Sequence, residues 1–131
     1  MKNKIIAVDG YASTGKTTLS KKIAKYLKFV HIDTGSMYRA FTLFAIENGL
    51  YKKEIINKNK LEDLLNNISF SFSNNNDLLF KNSIISNDIR STIVSDHVSK
   101  IASLKIVRKY MVNYQRDLVL KKKIVLLRVE I

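Results

Sequence analysis

The chain has 131 residues, enough for one domain around a single core. It contains no cysteine, which excludes a disulfide framework and a thiolate metal site, and no apolar run approaches membrane-spanning length. The net charge of +12 comes from eighteen scattered lysines and only five arginines, at 39, 90, 108, 116 and 128.

Lys4-Ile-Ile-Ala-Val-Asp9 opens the chain as an apolar run that reads as a buried strand, preceded by no signal-peptide stretch. Residues 10–17, Gly-Tyr-Ala-Ser-Thr-Gly-Lys-Thr, follow it and fit the phosphate-loop pattern G-x-x-x-x-G-K-S/T at Gly10, Gly15, Lys16 and Thr17. The pattern has a physical basis. Glycines let the backbone curl until successive N–H groups point at phosphate oxygens, and the following helix adds the positive end of its dipole. Lys16 neutralises charge on the β- and γ-phosphates, and the Thr17 hydroxyl ligates Mg²⁺. The expected ATP contacts are Gly10, Tyr11, Ala12, Ser13, Thr14, Gly15, Lys16, Thr17 and Thr18.

From Thr17 to Leu27 helical spacing puts Leu19, Ile23, Ala24 and Leu27 on one face. Phe29-Val-His-Ile32 reads as a second buried strand, with His31 a packed core or edge residue and not a ligand. Asp33-Thr-Gly-Ser-Met-Tyr-Arg39 turns into a helix capped by Thr34 or Ser36, continued through Ala40, Leu43, Phe44 and Glu47, and stopped at Asn48-Gly49. Strand, phosphate loop, helix, strand, helix is the alternation of a parallel α/β sheet flanked by helices.

Residues 51–88 change character. Leu61-Glu-Asp-Leu-Leu65 predicts a short helix, and Ser69-Phe-Ser-Phe-Ser73 alternates as a half-exposed strand. Asn74-Asn-Asn-Asp77 is a turn, after which Leu78 to Ile85 gives one or two more strands. This is a small antiparallel insertion. Asn87-Asp-Ile-Arg90 then leads into a long helical region reaching Leu118, with His97 a partly buried helix residue. Lys121-Lys-Lys123 is a solvated helix end, and Ile124-Val-Leu-Leu127 a third buried strand. The expected organisation is 1–50 first half of the core, 51–88 insertion, and 89–131 helices plus third strand.

The quoted stretches resemble the bacterial cytidylate kinase family. Those carrying the likeness are residues 6–17, Asp-Thr-Gly-Ser-Met-Tyr-Arg-Ala (33–40), Asn-Asp-Ile-Arg (87–90), Val98-Ser-Lys-Ile-Ala102, and Val107-Arg108 through Tyr114-Gln-Arg116. The phosphate loop is generic; the 33–39 segment after the second strand is much more specific. The resemblance implies a P-loop nucleoside monophosphate kinase fold whose C-terminal part is missing here. It also implies a transferase that phosphorylates CMP and dCMP with ATP and Mg²⁺ in pyrimidine nucleotide metabolism. Asp33, Thr34, Tyr38, Arg39, Ser99 and Arg108 become the expected CMP-binding residues, with Lys16 and Arg39 catalytic and Thr17 the metal contact. By the same resemblance Arg39 grips the acceptor monophosphate, Ser99 and Arg108 read the cytosine edge, and Arg90 supports the pocket.

Two positions depart from the family pattern. Tyr11 stands where proline is usual, which leaves backbone phosphate contacts intact. After the third strand the family has an acidic-Gly-Arg-Asp-Ile/Met-Gly segment, whereas here Arg128-Val-Glu-Ile131 follows. The bases GAG-GGT-CGA-GAT-ATA-GGN encode Glu-Gly-Arg-Asp-Ile-Gly; read one base late they give Arg-Val-Glu-Ile and a stop. A single-base deletion or a base-calling error is therefore expected, and resequencing tests it. A product ending there is expected to fold poorly, with an unpaired edge on its central strand, and to turn over negligibly.

Three further readings stay open at this stage: another small-molecule P-loop kinase, a non-catalytic nucleotide-binding remnant, and a basic RNA-binding module. Scattered lysine beside abundant isoleucine and asparagine reflects A/T-rich codons as well as it would a polyanion partner. A cytoplasmic monomer is expected, with nucleotide substrates and neither nucleic-acid nor membrane partners.

Overall fold

The structure, a computed structural model, describes residues 5–11 and 15–130. Three strands form a parallel sheet: β1 (Ile5–Tyr11), β2 (Val30–Asp33) and β8 (Ile124–Glu130), in the order β1-β8-β2. The last strand in sequence is thus the middle one. Ile5 faces Ile124 and Asp9 faces Arg128, while Val30 and Asp33 face Ile124 and Leu127. Between the first two strands runs α1 (Lys16–Leu27); α2 (Thr34–Glu47) follows β2 directly.

The insertion contains a hairpin, β3 (Tyr51–Lys52) with β4 (Ile55–Ile56), then α3 (Lys58–Asn66). An antiparallel sheet completes it, made of β5 (Phe70–Phe72), β6 (Leu78–Phe80) and β7 (Ser83–Ile84). A 3₁₀ turn at Asn87–Arg90 leads to α4 (Thr92–Ser103) and α5 (Lys105–Val119).

One core joins the sheet to the insertion. Ile32, Ile124 and Leu126 pack with Met37 and Phe41 of α2, Leu61 and Leu65 of α3, Phe70 of β5, and Val107 and Met111 of α5. Tyr114 ties α5 to the insertion: its hydroxyl donates to the carbonyls of Leu65 and Ile68, at 2.7 and 3.2 Å.

Several expectations are corrected. β1 is not buried: Ile5 is 49 % exposed, because β1 is an edge strand and, among the described residues, pairs only with β8. Among the described residues β1 and β2 are the edges of this sheet and β8 is its middle strand. Ala24 of α1 is buried, yet Leu19 and Leu27 stay exposed. The sheet reaches only the side of α1 carrying Ser20 and Ala24, and the apolar arc extends past it. The third strand continues beyond Leu127 to Glu130, since backbone pairing with β1 does not require apolar side chains. The long helical region is two helices, broken where Leu104 adopts extended dihedrals (φ −73, ψ 128). Neither Thr34 nor Ser36 caps α2; the Asp33 carboxylate accepts from the Gly35 N–H at 2.9 Å.

Candidate functional site

The carboxyl ends of the parallel strands β1, β8 and β2 lie along one edge of the sheet, the edge where open α/β sheets bind ligands. Gly15 holds φ +81 at the N-cap of α1, a conformation in which a side chain is strained. No side chain caps α1, and its first turn holds no acidic residue. Among the described residues the first amides of α1 therefore have no side-chain cap, an arrangement that suits an anion. Thr17 is exposed on this turn. Ala12, Ser13 and Thr14, and the side chains of Tyr11 and Lys16, lie outside the described residues.

At the end of β2, Thr34 is buried and donates its hydroxyl to the Leu127 carbonyl at 3.0 Å, which fixes the start of α2 against the middle strand. Tyr38 is half-buried. Burial pushes its hydroxyl pKa up while the positive charge of Arg108 pulls the other way, so these two residues of α2 and α5 lie near each other. The Arg39 guanidinium donates through Nη1 to the Ile89 carbonyl at 3.3 Å and to Ser95 Oγ at 3.1 Å. Ser99 and Arg108 are exposed on α4 and α5, which pack together. Arg108 also lines a shallow basic groove with Lys105, Lys109 and Arg116.

Asp33 alone of the six expected CMP contacts lines a cavity of about 370 Å³, shared with His31, Ser36, Asp77 and Arg90. His31 does more than pack. Its Nε2 lies 2.8 Å from the Oγ of fully buried Ser20, whose hydroxyl donates to the Thr17 carbonyl at 3.0 Å. With that hydroxyl proton committed, Ser20 accepts from an Nε2–H. The spacing of Ser20 and His31 carried no sign of this bond, because it forms between helix and strand. His97 is half-buried as expected: Nδ1 bonds the Ile93 carbonyl and the ring packs edge-on to Tyr51.

Desolvation lowers the His31 pKa from the usual 6.5; Asp33 pulls it back up and Lys21 adds to the lowering. The neutral ring is thus favoured by folding. Its contribution is in place above 6.5 and is lost as pH falls through the lowered folded value. Between about pH 7 and about pH 5 the native chain is expected to lose more thermal stability than the His31→Gln variant, whose amide N–H can replace Nε2–H. Equal losses in the two proteins would contradict this.

Among the described residues no group of three or more His, Asp or Glu side chains could hold a metal ion. A divalent cation here would rest on the Thr17 hydroxyl and on oxygens of the nucleotide itself. Arg128 and Asp9 form a forked ion pair across β8 and β1, with Nε–Oδ1 2.6 Å and Nη2–Oδ2 2.8 Å, which the sequence reading did not anticipate.

A sequence model described as cytidylate kinase matches residues 6–127. The chain belongs to the cytidylate kinase family. It is 40 % identical over 131 aligned residues to the cytidylate kinase of Flavobacterium johnsoniae, covering 96 % of this chain and 57 % of that protein. The cytidylate kinase of Bacteroides thetaiotaomicron is 37 % identical with the same coverage. The bifunctional pantoate ligase/cytidylate kinase of Prochlorococcus marinus strain AS9601 is 43 % identical over 119 residues, 87 % of this chain and 23 % of that one. The chain thus spans about 57 % of the length of the cytidylate kinases it matches. No helix among the described residues is long and apolar enough to cross a membrane. Arg128 lies just past the stretch that the cytidylate kinase model matches.

Proposed function

We propose that this chain is the nucleotide-binding portion of a cytidylate kinase, an enzyme that transfers the γ-phosphoryl group of ATP to CMP and dCMP. The observation that carries the reading is convergence at one end of one sheet. There α1 begins after β1 and the Asp33–Arg39 segment starts α2 after β2, and the charge of Arg108 on α5 acts on Tyr38.

The roles are those that the family resemblance implies. The loop from Gly10 to Thr18 takes the triphosphate, with Lys16 on its outer phosphates. Asp33 and Thr34 shape the acceptor wall, and Tyr38, Ser99 and Arg108 present donors and acceptors to the base. A planar guanidinium fork at Arg39 suits two oxygens of the acceptor phosphate, and among the described residues only Nη1 is engaged. Bound Mg²⁺ supplies neutralisation of phosphate charge, for which the exposed Thr17 hydroxyl is the ligand this chain offers. Transfer then needs alignment of two anions in line, with no protein nucleophile. The protein's working place is the cytoplasm, and it acts as a monomer.

A second reading is nucleotide binding without turnover by these 131 residues alone, which span 57 % of the length of the cytidylate kinase they match. In a coupled assay the purified 131-residue chain is expected to bind ATP but to form ADP only slowly when CMP is added. CMP-dependent ADP formation near the rate of a full-length relative would overturn the low-turnover expectation, whereas failure to bind ATP would overturn the nucleotide reading.

A further inference from the structure

We propose that Ser20 and His31 are positioning residues for the nucleotide: a buried relay through them fixes the first turn of α1, the turn that carries Lys16 and Thr17, against strand β2. The inference deepens the nucleotide reading above and rests on it.

Apolar packing does little for that turn. Among the described residues of the first half of α1, Ser20 alone is buried; Thr17, Thr18, Leu19 and Lys21 are exposed. Packed carbon begins further along, at Ile23 and Ala24. The start of α1 therefore meets the sheet through a hydroxyl. Burial alone does not call for one. Ser20 and Ala24 stand one turn apart on the same face, and alanine at 20 would pack as Ala24 does.

The hydroxyl is used in both directions. It donates to the Thr17 carbonyl at 3.0 Å and accepts from His31 Nε2–H at 2.8 Å. Donation by His31 polarises the Ser20 O–H and so strengthens its bond to Thr17. His31 is itself held in place by the sheet, facing fully buried Val125 in the β2–β8 ladder. By strand alternation Asp33 lies on the same face of β2 as His31, and its charge acts on the His31 ring. The relay thus ties the turn on the ATP side to the strand whose end carries Asp33 on the acceptor side. Without it the nucleotide would have to order that turn on binding, at a cost in affinity.

Calorimetric titration of the 131-residue chain with MgATP, well below its melting temperature, tests this in the native protein, His31→Leu, His31→Gln, Ser20→Ala and the Ser20→Ala/His31→Leu double variant. His31→Leu and Ser20→Ala are each expected to weaken MgATP about three- to tenfold. The double variant should be no weaker than either alone, because both changes cut one relay. His31→Gln, whose amide N–H can replace Nε2–H, should stay within about twofold of native. Nitrogen-15 resonances of the native ring should place its proton on Nε2; a ring protonated on Nδ1 alone overturns the relay. A packing role predicts otherwise: lower melting temperatures with the MgATP affinity unchanged, or a glutamine variant no better than leucine, and either result overturns the proposal. If His31→Leu fails to fold, Ser20→Ala decides, since alanine suits both the helix and its buried face. Native chain that does not bind MgATP overturns the nucleotide reading and this inference together. Native binding that the variants leave unchanged overturns this inference alone.

Discussion

Lys16→Ala is expected to weaken MgATP binding by roughly 10- to 100-fold, the worth of one hydrogen bond to a charged group (about 1.5–3 kcal/mol). The uncapped first turn of α1 supplies oriented amides, but amides carry only partial charge. Lys16 brings the full positive charge placed by the loop pattern beside the outer phosphates. Alanine is the best helix former, so the first turn should persist and the melting temperature should hardly move. Calorimetry gives the affinity and circular dichroism checks the fold. An unchanged affinity in a folded Lys16→Ala protein would contradict the assignment of residues 10–17 as the triphosphate site.

Phe41→Ala is expected to cost about 3–5 kcal/mol of stability, both transfer and cavity terms included. Phe41 is fully buried in the cluster that joins α2 to the sheet, α3 and α5. A domain of this size has about 5–15 kcal/mol in total, so the variant should be largely unfolded at modest urea. Tyr26, 86 % exposed on α1, is the control: Tyr26→Ala should stay within about 0.5 kcal/mol of native. Equal urea midpoints for the two variants would mean that the core is not where the structure places it.

Much of the fold was legible because it depends on local signals. The strand-loop-helix unit at 5–27 and the Asp33–Arg39 turn into α2 have strong punctuation, and Ser69-Phe-Ser-Phe-Ser73 alternates as a strand should. What escaped was set by tertiary partners. The Tyr51–Ile56 hairpin turns through Lys53 and Glu54, both at positive φ (50 and 63), with none of the glycine or asparagine that usually marks such a turn. The break at Leu104 carries neither glycine nor proline. Exposure of Leu19 and Leu27 follows from how far the sheet extends under α1, which helical periodicity does not contain.

The residues singled out by the resemblance are spread over several elements: Asp33 ends β2, Thr34, Tyr38 and Arg39 lie on α2, Ser99 on α4 and Arg108 on α5. Asp33 turned out also to serve as a cap, and Arg39 to be anchored on Ile89 and Ser95. The Ser20–His31 bond and the Asp9–Arg128 pair depend on which strands become neighbours. That order, with the last strand in the middle, is not written in any one segment.

The most direct measurement is a titration of isotope-labelled chain with CMP, and in parallel with AMP, in the presence of MgATP, followed by amide and arginine side-chain resonances. The account predicts that CMP shifts Gly35, Tyr38, Arg39 and Arg108, that MgATP shifts Gly15 and Thr17, and that AMP displaces CMP only weakly. An equal response to AMP and CMP, or shifts confined to residues away from the carboxyl end of the sheet, would contradict it.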